Sequence, residues 1–282
     1  MRYPSRFEMM ATAQGKSALL KQIERCYTHP LGPGRVPSLR SGGKRSIVGA
    51  VVPHAGYEYS GPVAAHVYSA LAEDGFPEKF IIIGGDHVGH DEAVITTETF
   101  VTPLGKVPVD METAGEIGLM ENKEVHEYEH AIGMQLPFLQ HLSSEIKFVP
   151  VYVPSHYPEV AKEAGEKIGK AIRGKNVVVI AATDFTHAGP DYGQIPPEGI
   201  RVDEFVKRQD MLAIDAILKL SHEELLKAVM EHDISMCGVG SVVAMLVAIR
   251  KIASGARLLK HASSHDIVPG PDAVGYGAIV IQ

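Results

Sequence analysis

The sequence predicts an α/β fold, a single domain over residues 1–282 with a central mixed, mostly parallel sheet flanked by helices. Three observations predict it. Four stretches open with apolar, β-branched runs, as strands covered on both faces do: IVGAVVPH at 47–54, FIIIGGDHVGH at 80–90, FVPVYVPSH at 148–156 and VVVIAATDFTH at 177–187. Helix-spaced segments separate them, so that strand, loop, helix and strand recur as βαβ units. The 282 residues are 45% hydrophobic, enough for one large core, and no linker composition divides them.

In chain order, a polar arm precedes a helix over residues 16–27, where Leu19, Leu20, Ile23, Cys26 and Tyr27 share one face. Residues 28–44 are dense in Pro and Gly and read as a long loop that could cover a site. The strand at Ile47 ends in Pro53-His54-Ala55-Gly56-Tyr57, and residues 61–72 follow as a helix packed on the sheet. The run from Phe80 is ended by Gly84 and Gly85; residues 93–97 are a short strand that extends the sheet, and 111–120 are helical. Over 129–142, Ile132, Leu136 and Leu139 have helical spacing that Pro137 kinks or restarts. A strand at 146–153 leads to a helix at 159–172, and a strand at 177 to the His187 loop. Helices follow at 202–220, at 221–232 with Ser221 and Glu224 as a capping box, and at 238–253, whose apolar residues all round mark it as buried. Strands at 257–262 and 273–281 close the chain.

Composition excludes several classes of function. With 27 basic and 34 acidic residues the net charge is −7, which argues against general affinity for nucleic acid or an anionic membrane. No apolar stretch reaches the roughly 18 residues of a membrane span, and MRYPSRFEMMATAQGK lacks the apolar centre of a signal peptide, so a cytoplasmic protein is expected. Two cysteines make no disulfide framework and stay thiols in a reducing compartment. Cys26 reads as core filling; Cys237, taken alone, reads as a small buried hydrophobe.

Ligands of open α/β sheets bind outside the carboxyl ends of the strands, so histidines that end these stretches can converge although far apart in sequence. Taken singly, each is as well a hydrogen-bonded loop residue. Tyr57 and Tyr59 are candidates for the crevice wall, and His90 and His130 for supporting positions. Asp86 holds His87 or faces solvent.

Together the motifs carry a resemblance: Pro53-His54-Ala55-Gly56-Tyr57 with Ser60-Gly61, Gly85-Asp86-His87, Glu129-His130 with Gln135-Leu136-Pro137-Phe138, Thr183-Asp184-Phe185 with His187, and Met236-Cys237-Gly238. In this order they resemble the Memo family, itself similar to class III extradiol ring-cleaving dioxygenases of the protocatechuate 4,5-dioxygenase type. The resemblance implies a dioxygenase-like fold and a mononuclear metal site. His54 and His87 match the metal-binding histidines of both groups. Cys237 stands where the dioxygenases have a metal-binding glutamate. His187 matches a histidine that looks like their acid/base residue. The chain departs from the pattern at Gly84-Gly85-Asp86-His87, where Gly-Pro-Ser/Asn-His is more usual, and at Gly133, which replaces a glutamate. The resemblance also implies partners, an AMMECR1-like protein and a radical S-adenosylmethionine protein.

Two imidazoles and a carboxylate on iron(II) leave positions for oxygen and substrate, whereas a thiolate is softer and more easily oxidised. A His-His-Cys set therefore suits one iron or copper ion, favoured here, and also zinc, and makes ring cleavage by the dioxygenase route less expected. Cys237 just precedes a helix whose positive end favours thiolate. Met236 invites a blue-copper reading, but an adjacent residue points elsewhere. His187 works as acid and base if Asp184 or a backbone carbonyl fixes its tautomer. The expected function is a metal-dependent redox enzyme, oxidase-like or dioxygenase-like, with His54, His87 and Cys237 on the metal and His187 and Asp184 in catalysis. The alternatives are a non-catalytic effector that recognises a peptide or protein through the crevice, and a metal-assisted hydrolase.

Overall fold

Four parallel strands form the centre of the computed structural model, which describes residues 1–40, 42 and 45–282 apart from the side chain of Asp86. The elements in order are α1 (Arg6–Ala11), α2 (Lys16–Thr28), β1 (Gly49–Val52), α3 (Gly61–Asp74), β2 (Lys79–Asp86), β3 (Val94–Ile95), β4 (Phe100–Thr102), β5 (Gly105–Val107), α4 (Met111–Ile117), β6 (Met120–Glu121), α5 (Lys123–Tyr128), α6 (Leu136–Leu142), β7 (Phe148–Pro154), α7 (Pro158–Ala171), β8 (Val177–Ala182), β9 (His187–Ala188), α8 (Val202–Leu218), α9 (His222–Glu231), α10 (Val239–Ile249), β10 (Ala256–Ser263) and β11 (Ala273–Ile281). The main sheet runs β10-β11-β1-β8-β2-β7-β3-β6. Strands β1, β8, β2 and β7 are mutually parallel, while β11 joins β1, and β3 joins β7, antiparallel. The expected mixed, mostly parallel sheet flanked by helices is what forms.

Strands β1, β7 and β8 are buried throughout because helices cover both faces. Helix α3 lies against β1, β10 and β11 and carries α2 and α6; α10 lies against β8, β2 and β7 and packs on α7. Every residue of α10 is buried, as a helix apolar on all sides must be. Pro137 restarts the chain as α6, in whose first turn its missing N–H leaves no bond unmade. Ser221 caps α9 by accepting the Glu224 N–H at 3.1 Å, but Glu224 does not return the bond, because its carboxylate accepts from Lys219 at 2.7 Å. The hairpin of β4 and β5 and the short helices α1 and α5 were not expected. Each is too short to show a period.

Gly84 and Gly85 do not end their strand, a correction to the sequence reading. β2 stays paired with β7 as far as Asp86 opposite Pro154. The glycines allow close approach: a Cβ on Gly84 would lie 2.6 Å from the Tyr152 ring, and one on Gly85 would lie 2.9 Å from the Cys237 carbonyl oxygen and 3.0 Å from the Gly238 Cα. Sheet and helix entry meet there at backbone distance. Gly85→Ala is therefore expected to lower stability by about 1–3 kcal/mol through overpacking, seen as a lower urea midpoint at unchanged slope.

Part of the loop read over 28–44, residues 41, 43 and 44, lies outside the described residues; none of its described residues lines the cavity described below. Among the described residues no helix is long and apolar enough to cross a membrane.

Candidate metal centre

The register places three strand ends side by side. Val52 of β1 and Gly84 of β2 both flank Ala182 of the intervening β8. Two residues on from β1 comes His54, one on from β2 comes His87, and two on from β8 comes Asp184. Strands about 4.8 Å apart bring such side chains within reach across one intervening strand, and the His54 and His87 rings stand edge to face with centroids 5.3 Å apart. Cys237, delivered by the segment that enters α10, completes the group: His54 Nε2 lies 3.2 Å from its Sγ. One donor atom from each of His54, His87 and Cys237 lies within 4.8 Å of the other two. Donors bound at ~2.0–2.3 Å around a tetrahedral ion stand roughly 3.4 Å apart, so the three fit a single metal ion.

The main chain of both histidines is anchored by a carboxylate, and the His87 imidazole is held by one as well. The Asp184 carboxylate accepts the His54 main-chain N–H at 2.9 Å and that of Ala55 at 3.4 Å, and lies 3.7 Å from His54 Nδ1. Gln135 donates to the Pro53 carbonyl at 3.2 Å and accepts from Tyr68 at 2.7 Å, fixing the turn before His54. Glu129 accepts the main-chain N–H of His87 and meets its Nδ1 at 2.9 Å, an arrangement that turns Nε2 toward Cys237 as the ligand atom of the ring. His130 stacks on His87 and meets His54 edge-on, at 5.0 Å in both cases. His87, Glu129 and His130 also form a group of metal-ligand type, sharing His87 with the first.

Burial pushes the Cys237 thiol up, but the nearby His54 and the hydrogen bonds from His54 and His87 outweigh it and hold the thiol at about 6. Burial opposes charge on His87, yet Cys237 and Glu129 raise its imidazole to about 10. Burial, with His54, His87 and Arg2 nearby, drives His130 down to about 2, so its ring is neutral. Burial also raises Asp184, against the pull of His187 and the two N–H donors. The thiol of Cys237 is thus lowered by the two imidazoles beside it. Cys26 is the contrasting case, a core residue whose thiol burial pushes to about 12.

These residues open on a cavity of about 840 Å³. His187 lines it, with Nδ1 2.9 Å from the Phe185 carbonyl and 3.1 Å from that of Ser235. Carbonyls only accept, so Nδ1 is the donor, and in the neutral ring Nε2 is the acceptor; main chain, not Asp184, fixes the tautomer. Exposed Phe7, Met10, Tyr59, Tyr192 and Val268 rim the opening. Not every expected residue arrives. His156 is exposed and outside the cavity, because it follows β7, one strand beyond β2. Tyr57 is buried with its hydroxyl on the Met134 carbonyl at 2.6 Å. Met236 is core, and His90 does not line the cavity. Asp86 has its side chain outside the described residues. The support given by Glu129 was missed, although its place beside His130 in the motif was the available signal.

Fold and site define a class: an α/β protein that gathers two imidazoles and a thiol, able to hold one metal ion, where parallel strands end. The family Memo-like protein matches residues 11–280. The MEMO1 family protein of Methanopyrus kandleri is 40% identical over 276 residues, 94% of this chain and 93% of that protein. Those of Ignicoccus hospitalis and Pyrobaculum aerophilum are 38% and 37% identical, covering 93% and 94% of this chain and 92% and 94% of their own. The chain belongs to the Memo-like family.

Proposed function

We propose that the chain is a metal-dependent redox enzyme, oxidase-like or dioxygenase-like, acting on a small molecule or peptide in this cavity. The observation that carries the reading is the meeting of His54, His87 and Cys237 beside a histidine whose basic nitrogen is left free. Iron or copper held by the three would supply one-electron chemistry and open positions for oxygen and substrate. The chain's own residues do the rest. His187 takes a substrate proton at Nε2 and returns it, its Nδ1 proton staying on two carbonyls. Asp184 fixes the main chain of His54, and Glu129 aims His87.

The test is oxygen uptake by protein loaded without air with iron(II) or copper(I), screened over substrate classes. His187→Asn is expected to keep the metal and lose about 10²–10⁴-fold in turnover. Metal binding without any redox turnover would overturn the reading. The apolar rim favours one second reading, a binding protein that grips a peptide or protein at the cavity; it requires partner binding that survives loss of metal. Association with AMMECR1-like and radical S-adenosylmethionine proteins belongs to the same proposal.

Metal affinity should rise with pH. Ligands bind as thiolate and neutral imidazole, so an ion displaces protons. Between pH 6 and 10 Cys237 is already thiolate while His87 still carries a proton, so affinity should climb about tenfold per pH unit. Below pH 6 the thiol holds a proton too and the climb steepens; above pH 10 it flattens. Metal competition titrations across that range check the sign and the two breaks.

A further inference from the structure

The first eleven residues form a wall of the site. Arg2 is 2% exposed, and every arm of its guanidinium is used. Nε donates to the His126 carbonyl at 2.7 Å, Nη2 to the Glu129 carbonyl at 2.5 Å, and Nη1 to the two Glu8 carboxylate oxygens at 2.9 and 2.6 Å. The group also lies 4.8 Å above the Phe100 ring. Its main chain is tied as firmly, donating to the Thr99 carbonyl at 2.9 Å and accepting from the Val101 N–H at 2.8 Å. The Phe7 ring lies tilted at 38° against His130 with centroids 4.0 Å apart, and the Ala11 carbonyl accepts the Tyr57 N–H at 3.1 Å. A Cβ on Gly133 would overlap the Glu8 carboxylate, so the bare position 133 and the acid at 8 fit each other. Arg2 and Glu8 precede the span 11–280 that the family matches.

Glu129 joins this wall to the site. Its carbonyl is gripped by Arg2, and its carboxylate holds both the main chain and Nδ1 of His87. We propose that Arg2, itself oriented by Glu8, is a positioning residue for the candidate metal centre, acting through Glu129 on the His87 imidazole. The proposal rests on the reading of His54, His87 and Cys237 as metal ligands. A side chain that merely stabilised the N-terminal segment would leave the His87 ring as it is.

The test uses the full chain with two readouts. In metal-free, ¹⁵N-histidine-labelled protein, the ring N–H that His87 shares with Glu129 gives a downfield proton resonance, assigned by its absence from His87→Ala. Cobalt(II) titration then reads affinity through absorption of the ion bound to thiolate. The double variant Arg2→Ala/Glu8→Ala leaves no lone buried charge. It is expected to fold, to lose or broaden the resonance, and to bind cobalt(II) about 10–100-fold more weakly, the range that outer-shell support gives. Glu8→Ala/Gly133→Asp, which returns a carboxylate to Arg2 from the place the Glu8 carboxylate leaves, is expected to recover both. If the double variant does not fold, Arg2→Lys keeps the charge beside Glu8 but cannot reach both carbonyls, and should show the same losses. A folded variant with the parent's resonance and cobalt affinity would overturn the proposal. If the parent binds neither cobalt(II) nor, in the same titration, iron(II) or copper(I), the metal reading fails, and the resonance alone decides the positioning claim.

Discussion

His54→Ala, His87→Ala and Cys237→Ser are each expected to weaken binding of iron(II) or copper(I) by more than about 100-fold, beyond the 10–100-fold lost when only an outer-shell partner is removed. Each removes one of the three donor atoms that lie within 4.8 Å of one another. Anaerobic elemental analysis with metal titration measures it, with a thermal melt to show that each variant folds. Cys237→Ser should discriminate among metals, because an alkoxyl oxygen replaces the soft thiolate and copper(I) should lose more than iron(II). Parent-like affinity in any of the three would remove that residue from the ligand set. No specific binding by the folded parent would leave the cavity as a recognition site.

Phe138→Ala is expected to cost about 3–5 kcal/mol of stability, the range for emptying a buried aromatic site. Phe138 is fully buried in α6, its ring stacked on Tyr68 at 4.8 Å and tilted against Tyr57 at 4.9 Å. The cavity left behind would not collapse readily, because both tyrosines are anchored at their hydroxyls, Tyr68 on Gln135 at 2.7 Å and Tyr57 on Met134 at 2.6 Å. Those anchors belong to the loop that fixes the Pro53 carbonyl, so metal affinity should fall as well. Urea denaturation gives the stability and titration the affinity. A loss below about 1 kcal/mol would mean that the site repacks, as spread among such substitutions allows.

Much of the site is legible in the amino-acid sequence. The apolar runs at 47–54, 80–83 and 177–182 had to be covered strands, and in a parallel sheet the residues just past them face one crevice. That allowed the histidines ending these runs to converge, and the motif resemblance singled out His54, His87 and His187 and added Cys237. The same rule overreached at His156, since it does not state strand order, and β7 lies one strand farther out. At Gly84 and Gly85 local propensity pointed to a strand end, but tertiary contact had set the demand: room for the Cys237 main chain.

Period and side-chain chemistry are local properties, so the alternation of strands and helices, the buried helix α10 and the kinds of donor available could be read along the chain. Which residues hold those donors depends on packing between distant segments. Asp184 turned out to hold the His54 main chain, main-chain carbonyls to set the His187 tautomer, and Arg2 with Glu8 to reach the far side of Glu129. A hydrogen bond between residues as distant as 2 and 129 depends on how the whole chain packs, and no spacing along the sequence records it.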